Sequence, residues 1–366
     1  MKLLYITNQI CGSGGLERVL SIKASYLADI LGYEVHILTL NQGGLPLFYN
    51  FSDKLIYHDI QTHGKGITKF KKYRRGLIDT VKKVQPNIIS VCDDGLKGFF
   101  VPIILNKPCP MIYERHVSKN IEIKNDSISQ LSKLKLKLIY KLMYFGAQSY
   151  DKFVVLTKGN LTEWKLKNLM VISNPLSFYP LNVSDLKNKK VLAVGKQSYQ
   201  KGYDRLLISW QKIVQKHPEW QLEIYGKVDD SLELNKLAQQ LKVDKTVQFF
   251  PPTKEIKDKY KEASVYVLSS RYEGFGMVLI EAMAYGIPCV SFDCPCGPSD
   301  IISDKEDGFL VLNGDTESMA VKINNLIENE KMRIEMGKKA RENVKRFLPE
   351  VIVPQWDSLF KNLVTS

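Results

Sequence analysis

The sequence has few cysteines and no long apolar run. Its six cysteines are scattered, and the single residue between Cys294 and Cys296 matches neither a redox motif nor a zinc knuckle. No apolar stretch approaches the ~20 residues that a membrane-spanning helix needs. The apolar segment after Met1 and Lys2 is also too short for a secretory signal peptide. These absences predict reduced thiols and a cytoplasmic protein that is not integral to a membrane.

Acidic residues are scarce in the first half of the chain. The whole sequence carries 52 Lys and Arg against 39 Asp and Glu, a formal net charge of +13. Residues 1–180 contain 25 basic and 13 acidic residues, whereas residues 181–366 contain 27 and 26. An excess confined to one half indicates an anionic partner for that half.

Strand-like and helix-like segments alternate along both halves of the chain. The first half opens with a strand at Lys2–Thr7, a helix from Leu16 to about Leu31 and a strand at Glu34–Leu40. The alternation lapses at residues 174–190 and restarts with a strand at Val191–Val194. This pattern predicts an α/β fold of two Rossmann-like, doubly wound domains. Since ligands bind at the carboxyl ends of such strands, we expect the domains to face each other across a cleft.

A glycine-rich loop flanked by two glutamates lies between a predicted strand and a predicted helix in the second half. Glycines let the backbone approach a ligand closely, and the free N–H groups at the helix start form an anion site. Glu273 is placed to accept hydrogen bonds from sugar hydroxyls, and Glu281, one turn inside the helix, from ribose hydroxyls. The alternative is that Glu281 only stabilises the helix and Glu273 is a solvated loop residue. The loop and first helical residues are Gly274, Phe275, Gly276, Met277 and Val278.

Two lysines follow the first predicted strand of the second half. Lys196 and Lys201 lie five residues apart, after the strand at Val191–Val194. Two cations at this position would stabilise a diphosphate whose negative charge grows as a glycosidic bond breaks. The alternative is that both are ordinary surface lysines.

Another glycine-rich loop precedes the first predicted helix, where Gly14 and Gly15 are followed by Glu17 and Arg18. A dinucleotide-binding fingerprint fits poorly, because Glu17 stands in place of its third glycine. The strand at Glu34–Leu40 also ends without the acidic residue that would hold a ribose. The loop therefore either binds another ligand or is a tight strand-to-helix turn that binds none.

These motifs resemble those of the retaining glycosyltransferases of family 4, which have the GT-B fold. Glu273 and Glu281 match the family's motif of two glutamates with seven residues between them. The segments at 282–290, 296–302 and 307–311 are also similar to the family. The chain departs from the family at Lys196, where arginine is usual, and lysine loses the bidentate fork of arginine.

The resemblance implies a metal-independent hexosyltransferase without a cofactor. It would move a hexose or N-acetylhexosamine from a UDP-sugar to a lipid-linked or surface-polysaccharide glycan, with retention of the anomeric configuration. The acceptor-binding domain would span residues 1–175, joined by the carboxyl-terminal helix at 349–366, and the nucleotide-sugar-binding domain would span 176–348. No Asp-x-Asp pair is present for Mg²⁺.

The resemblance also implies residue roles. Residues on the acceptor side would be Glu17, Arg18 and Arg115. The catalytic residues would be His116, which faces the transferred sugar, together with Lys201 and Glu273. The donor-binding residues would be Gly14, Gly15, Lys196, Gly274, Phe275, Gly276, Met277, Val278 and Glu281.

A segment that is both basic and apolar lies at Lys133–Tyr144. Its first residues alternate strictly between lysine and leucine, which departs from a helical stripe. Together with the basic residues of Lys69–Arg75 it offers a surface for anionic lipid at the inner face of the cell membrane. The alternative is an ordinary helix with its apolar residues packed inward.

Two other classes of protein share some of these features. A nucleic-acid-binding protein would explain the positive charge, but none of the standard nucleic-acid-binding motifs occurs. A nicotinamide-dependent oxidoreductase would share the doubled Rossmann layout, but its fingerprint fails as described above.

Overall fold

The computed structural model describes residues 1–119 and 130–365, which group into two compact units. Unit 1 comprises residues 1–117, 130–177 and 349–365, and unit 2 comprises residues 118–119 and 178–348. Each unit is built on one sheet whose strands are all parallel.

Unit 1 contains a seven-stranded sheet in the order β3-β2-β1-β4-β5-β6-β7. Central strands such as β4 and β5 are buried at every residue, as expected when helices cover both faces of a parallel sheet. The strands are β1 (Lys2–Thr7), β2 (Glu34–Leu40), β3 (Ile56–Ile60), β4 (Ile88–Cys92), β5 (Met111–Glu114), β6 (Lys152–Val155) and β7 (Leu169–Val171). The helices are α1 (Gly15–Asp29), α2 (Gly66–Val84), α3 (Leu96–Phe99), α4 (Val101–Leu105), α5 (Gln130–Ala147), α6 (Asn160–Glu163) and, from the end of the chain, α14 (Pro349–Thr365).

Unit 2 contains a six-stranded sheet in the order β10-β9-β8-β11-β12-β13. The strands are β8 (Lys190–Val194), β9 (Gln221–Tyr225), β10 (Val247–Phe250), β11 (Val265–Leu268), β12 (Cys289–Asp293) and β13 (Gly308–Leu312). The helices are α7 (Tyr203–Val214), α8 (Leu234–Gln240), α9 (Ile256–Glu262), α10 (Met277–Ala284), α11 (Pro298–Ile301), α12 (Thr316–Glu328) and α13 (Glu330–Asn343).

Both sheets are doubly wound, which confirms the predicted class of two parallel α/β domains. The strand order reverses between β1 and β4 in unit 1 and between β8 and β11 in unit 2. Ligands of open α/β sheets bind outside the carboxyl ends of the strands at such a switch point. The loops that follow these four strands are therefore the first place to look for a site.

Some local predictions were wrong. The pattern predicts one helix at Ser231–Leu241, but Glu233 adopts a left-handed conformation (φ 46°) and separates a 3₁₀ turn at Asp230–Leu232 from α8. The pattern also gave no sign of α3 and α4, which are only four and five residues long. Within the described ranges, no helix combines the length and the apolar character that crossing a membrane requires.

Candidate active site

Two loops meet at the switch point of unit 2. The lysine loop (residues 195–202) follows β8, and the glycine loop (residues 269–276) follows β11. The backbone N–H of Arg271 donates to the carbonyl of Gln200 at 2.7 Å, and the side-chain amide of Gln200 donates to the carbonyl of Tyr272 at 3.1 Å. The Ser269 hydroxyl donates to the carbonyl of Lys201 at 2.8 Å. The two loops therefore form one hydrogen-bonded structure.

Glycines permit this close contact. Gly202 has φ +62°, and a Cβ atom there would clash with the carbonyl oxygen of Ser269. Gly276 has φ +104° and is the N-cap of α10, with no side-chain hydrogen bond to cap the helix. The first N–H groups of α10, at Met277 and Val278, are therefore not capped by the side chain of the N-cap residue, and the positive end of the helix dipole lies at the glycine loop.

Lys201 and Glu273 meet at the junction of the two loops. The Lys201 ammonium lies 2.7 Å from Glu273 Oε1, which also accepts a hydrogen bond from the Ser270 hydroxyl at 2.5 Å. Glu273 is buried and Lys201 is half-buried. The structure thus brings together two groups that the sequence separates by 72 residues. In contrast, Lys196 is exposed and forms no ion pair within the described part of the chain.

Glu281 lies in α10, one turn beyond the glycine loop, and only 1% of its surface is exposed. Its Oε2 accepts a hydrogen bond from the Tyr260 hydroxyl at 3.0 Å, and the Tyr260 ring stacks on Tyr285. Tyr260 is a contact of Glu281 that the sequence analysis missed, because nothing in the local pattern of α9 distinguishes it from any other core tyrosine. A ribose contact at Glu281 would share the carboxylate with this phenol.

Phe275, a predicted donor-binding residue, has a buried side chain. Its ring makes an edge contact with the ring of Phe347 at 5.5 Å between centroids. A Cβ atom on Gly297 would clash with the carbonyl oxygen of Phe275. Gly297 therefore supports the glycine loop from the segment after β12, a role that the sequence analysis did not assign.

The first glycine-rich loop, in unit 1, is filled by Glu17. A Cβ atom on Gly14 would lie 2.6 Å from the Glu17 carboxylate, which folds back over the loop from the first turn of α1. Burial raises the pKa of Glu17, and the charge of Asp94 adds to this effect. A carboxylate in this position repels phosphate. A diphosphate at Gly14 and Gly15 would require the Glu17 side chain to move, and donor binding by these glycines stays a prediction.

The two arginines predicted on the acceptor side, Arg18 and Arg115, have different surroundings in unit 1. Arg18 donates to the hydroxyl of Tyr49 at 3.1 Å, and that hydroxyl donates to the carbonyl of Ser13 at 2.9 Å. Arg115 is 2% exposed and donates to the carbonyl of Asp94 at 2.9 Å. The Arg115 guanidinium is therefore buried beside Asp94, and its role on the acceptor side stays a prediction.

His116 belongs to a buried polar network in unit 1. Its Nε2 lies 3.2 Å from Glu114 Oε2, and its backbone N–H donates to Asp94 Oδ1 at 3.2 Å. The same Glu114 carboxylate pairs with the Lys23 ammonium and accepts a hydrogen bond from the Ser90 hydroxyl at 2.6 Å. Among the described residues, His116 Nδ1 is a buried atom that has no hydrogen-bond partner.

Within residues 1–119 and 130–365, one group of side chains has the spacing of a metal site: Cys92, Glu114 and His116, with donor atoms within 4.8 Å of one another. A metal there would have to displace the Lys23 ammonium from Glu114. Burial and the Glu114 charge also raise the pKa of the Cys92 thiol, which opposes the thiolate form that binds metals. The group therefore fits an ion-pair network better than a metal site.

Comparisons with known proteins define the class of the protein. Residues 181–343 match the model of the family "Glycosyl transferases group 1". The chain is 30% identical over 364 residues to an uncharacterized glycosyltransferase of Haemophilus influenzae, covering 98% of this chain and 99% of that protein. It is 31% identical over 373 residues to the amylovoran biosynthesis glycosyltransferase AmsD of Erwinia amylovora, with the same coverage. The chain belongs to the group 1 glycosyltransferase family.

A solved structure agrees on the fold. A mutant of TarM from S. aureus, in complex with Fondaparinux, alpha-GlcNAc-glycerol and UDP, matches with a TM-score of 0.79 at 17% identity. The match covers 98% of this chain and all of that one. It supports the GT-B fold class, and neither the oxidoreductase nor the nucleic-acid-binding alternative is favoured.

Proposed function

We propose that this glycosyltransferase moves a hexose or N-acetylhexosamine from a UDP-sugar to a lipid-linked or surface-polysaccharide glycan, with retention of configuration. The UDP in the TarM complex and the biosynthetic role in the name of AmsD support this donor and this class of acceptor. The paired glutamates Glu273 and Glu281 support placement in family 4.

The observation that carries the proposal is the joined pair of loops in unit 2. They bring together the Lys201 ammonium, the N-terminus of α10 and the buried Glu273 carboxylate at one switch point. A diphosphate would bind to the ammonium and the helix N-terminus, and sugar hydroxyls would donate hydrogen bonds to the carboxylate. When the diphosphate binds, Lys201 exchanges part of its contact with Glu273 for phosphate oxygens, while Ser270 keeps the carboxylate in place.

The reaction follows from these contacts. The bond between the anomeric carbon and the diphosphate oxygen breaks, and its electron pair stays on that oxygen. Lys201 and the first N–H groups of α10 stabilise the growing negative charge. The acceptor oxygen bonds to the anomeric carbon on the same face and passes its proton to the departing phosphate oxygen. Because an ammonium and a helix end stabilise the charge, we propose that the reaction needs no metal.

The remaining site residues receive roles as part of the same proposal. Glu281 binds ribose hydroxyls together with Tyr260, and the exposed Lys196 makes a smaller contribution to donor binding. In unit 1, His116 donates a hydrogen bond to the transferred sugar, and Glu17 and Arg18 contact the acceptor.

We also propose that the protein is cytoplasmic and contacts the anionic inner face of the cell membrane through α5. Leu134, Leu138, Leu142 and Phe145 are 66%, 59%, 38% and 61% exposed. Their spacing places them on one face of the helix. Lysines at 133, 135, 137 and 141 flank this stripe and are also exposed. Apolar side chains bordered by lysines fit an anionic lipid surface, which would present a lipid-linked acceptor.

Donor binding and transfer test the main proposal. UDP should raise the melting temperature of the full chain, whereas NAD should not, and one member of a panel of UDP-sugars should be hydrolysed with chelator present. Lys201→Ala should lower kcat by ~10²–10³. The exposed Lys196→Ala is the matched control and should lower it far less. Stabilisation by NAD alone, with no UDP-sugar hydrolysed, would refute the proposed activity, and full activity of Lys201→Ala would refute the role assigned to Lys201.

A further inference from the structure

Arg271 lies in the glycine loop of unit 2 and connects it to the lysine loop and to α7. It follows β11, and its guanidinium donates to both oxygens of Asp204 in the first turn of α7, at 2.9 and 2.7 Å. The same group donates to the carbonyl of Tyr199 at 2.8 Å and lies over the Tyr199 ring, 4.1 Å from its centroid. Arg271 thus holds both ends of the short segment that contains Lys201.

The segment between these two contacts is short. Tyr199–Lys201 form a 3₁₀ turn, and Gly202, in a left-handed conformation, joins this turn to α7. The backbone of the turn is also fixed by the contacts of Gln200 and Lys201 with the glycine loop described above. Because Arg271 contacts Tyr199 at the start of the turn and Asp204 after it, loss of these contacts would let the Lys201 backbone shift.

The chemistry of the pair suits a rigid connection. The Arg271 side chain is 10% exposed and that of Asp204 is 42% exposed, so the bond is only partly screened by water. Burial by itself would raise the pKa of Asp204, but the hydrogen bonds and charge of Arg271 lower it below its ordinary value. The carboxylate is therefore charged at neutral pH. A planar guanidinium makes two parallel bonds to it, which a lysine ammonium cannot reproduce.

We propose that Arg271 and Asp204 are positioning residues that hold Lys201 against the donor diphosphate, so that their bond controls turnover. This inference rests on the proposed function, because Lys201 must act on the donor for its position to matter. Displacements of about 1 Å in a catalytic group can cost ~10² in rate. Neither residue contacts the diphosphate in this scheme, and both act through the turn at Tyr199–Lys201.

A double-mutant cycle in the full chain tests this Arg271–Asp204 pair, which we call the clamp. Arg271→Lys and Asp204→Asn should each lower kcat for the UDP-sugar roughly ten- to a hundredfold. The KM for the donor should change far less, and the melting temperature should fall by less than about 4 °C. Because the two residues act through one bond, the double variant should lose little more than the worse single variant. If Arg271→Lys does not fold, the half-exposed Asp204→Asn supplies the same kcat measurement.

A control on the same helix separates positioning from folding. Lys212→Ala removes the ion pair between α7 and Glu317 of α12, away from the lysine loop, and should leave kcat unchanged. Unchanged kcat in both clamp variants, or losses that simply add, would overturn the clamp. If Lys201→Ala is inactive while the clamp variants are fully active, the clamp is wrong and the proposed function stands. If Lys201→Ala is fully active, the role of Lys201 on which the clamp depends is wrong, whereas the proposed function fails only if the native chain turns over no UDP-sugar.

Discussion

At the scale of single residues, Lys23 and Glu114 form a buried ion pair in unit 1, which removes two charges from water. Both side chains are 1% exposed, and the Lys23 ammonium lies 3.8 Å from the centroid of the Trp356 ring. Burial alone would raise the pKa of Glu114, but Lys23 and His116 lower it to about 2. The carboxylate therefore depends on its partners to remain charged in the interior.

We expect Lys23→Met to lower the free energy of unfolding by ~3–5 kcal/mol, because it leaves the Glu114 carboxylate buried without its counter-charge. Lys54→Met, which breaks an exposed pair with Asp29, is the matched control and should cost less than about 1 kcal/mol. Urea unfolding measures both variants. The double variant Lys23→Met/Glu114→Gln should recover part of the loss, and a single variant no worse than the control would contradict this account.

The lowered pKa of Glu114 also predicts a dependence on pH. The Glu114 carboxylate has a pKa of about 2 in the folded chain and ~4.3 in the unfolded chain, so it stabilises the fold at pH values above ~4.3. This contribution is lost as pH falls from about 4 towards 2. Urea midpoints measured across that range should fall for the native chain, and Glu114→Gln should flatten the fall. An equally steep fall in the variant would assign acid sensitivity to other groups.

At the scale of elements, α5 is a helix whose apolar stripe is not apparent in the sequence. The Lys/Leu alternation at its start looks like a strand, yet the leucines at 134, 138 and 142 are each one turn apart in the observed helix. Sequence alternation obscured the apolar stripe because lysines occupy the positions beside it.

Replacement of Leu138 and Phe145 of α5 by glutamine should weaken binding to vesicles that contain anionic lipid. Full burial of such a side chain is worth ~1.5–3 kcal/mol, so a loss of roughly tenfold or more in partitioning is expected. Val321→Gln, on the exposed surface of α12 in unit 2, is the control and should have no effect. Vesicle co-sedimentation at two salt concentrations measures this. Equal binding by both variants would remove α5 from the proposed membrane surface.

At the scale of the whole molecule, the last helix belongs to the first unit. In α14 the rings of Trp356 and Phe360 are buried, and the Tyr33 hydroxyl donates to Asp357 at 2.7 Å. The Phe360 ring lies 6.3 Å from that of Tyr33. The final residues of the chain therefore complete a core that begins with its first residues.

Trp356→Ala should destabilise unit 1 by ~3–5 kcal/mol and leave the core of unit 2 intact. Limited proteolysis followed by mass spectrometry should find new cleavage sites in unit 1, while residues 178–348 remain protected. Lys361→Ala, which alters an exposed residue of the same helix, serves as the control. New cleavage confined to unit 2 would show that α14 does not support unit 1.

The sequence by itself determined the two parallel sheets and the two glycine-rich loops with their helix starts. These features depend on hydrophobic periodicity and on the conformational freedom of glycine, which are local properties. Lys201, Glu273 and Glu281 could also be found locally, because they lie beside those loops.

Only the tertiary structure decided which side chains meet. Lys201 contacts Glu273, and Arg271 contacts Asp204, because the strand order places β8 beside β11. The same holds in unit 1, where folding buries Arg115 against Asp94 and brings α14 onto Lys23. Such contacts join residues far apart in the chain, and neither hydrophobic periodicity nor local composition predicts them.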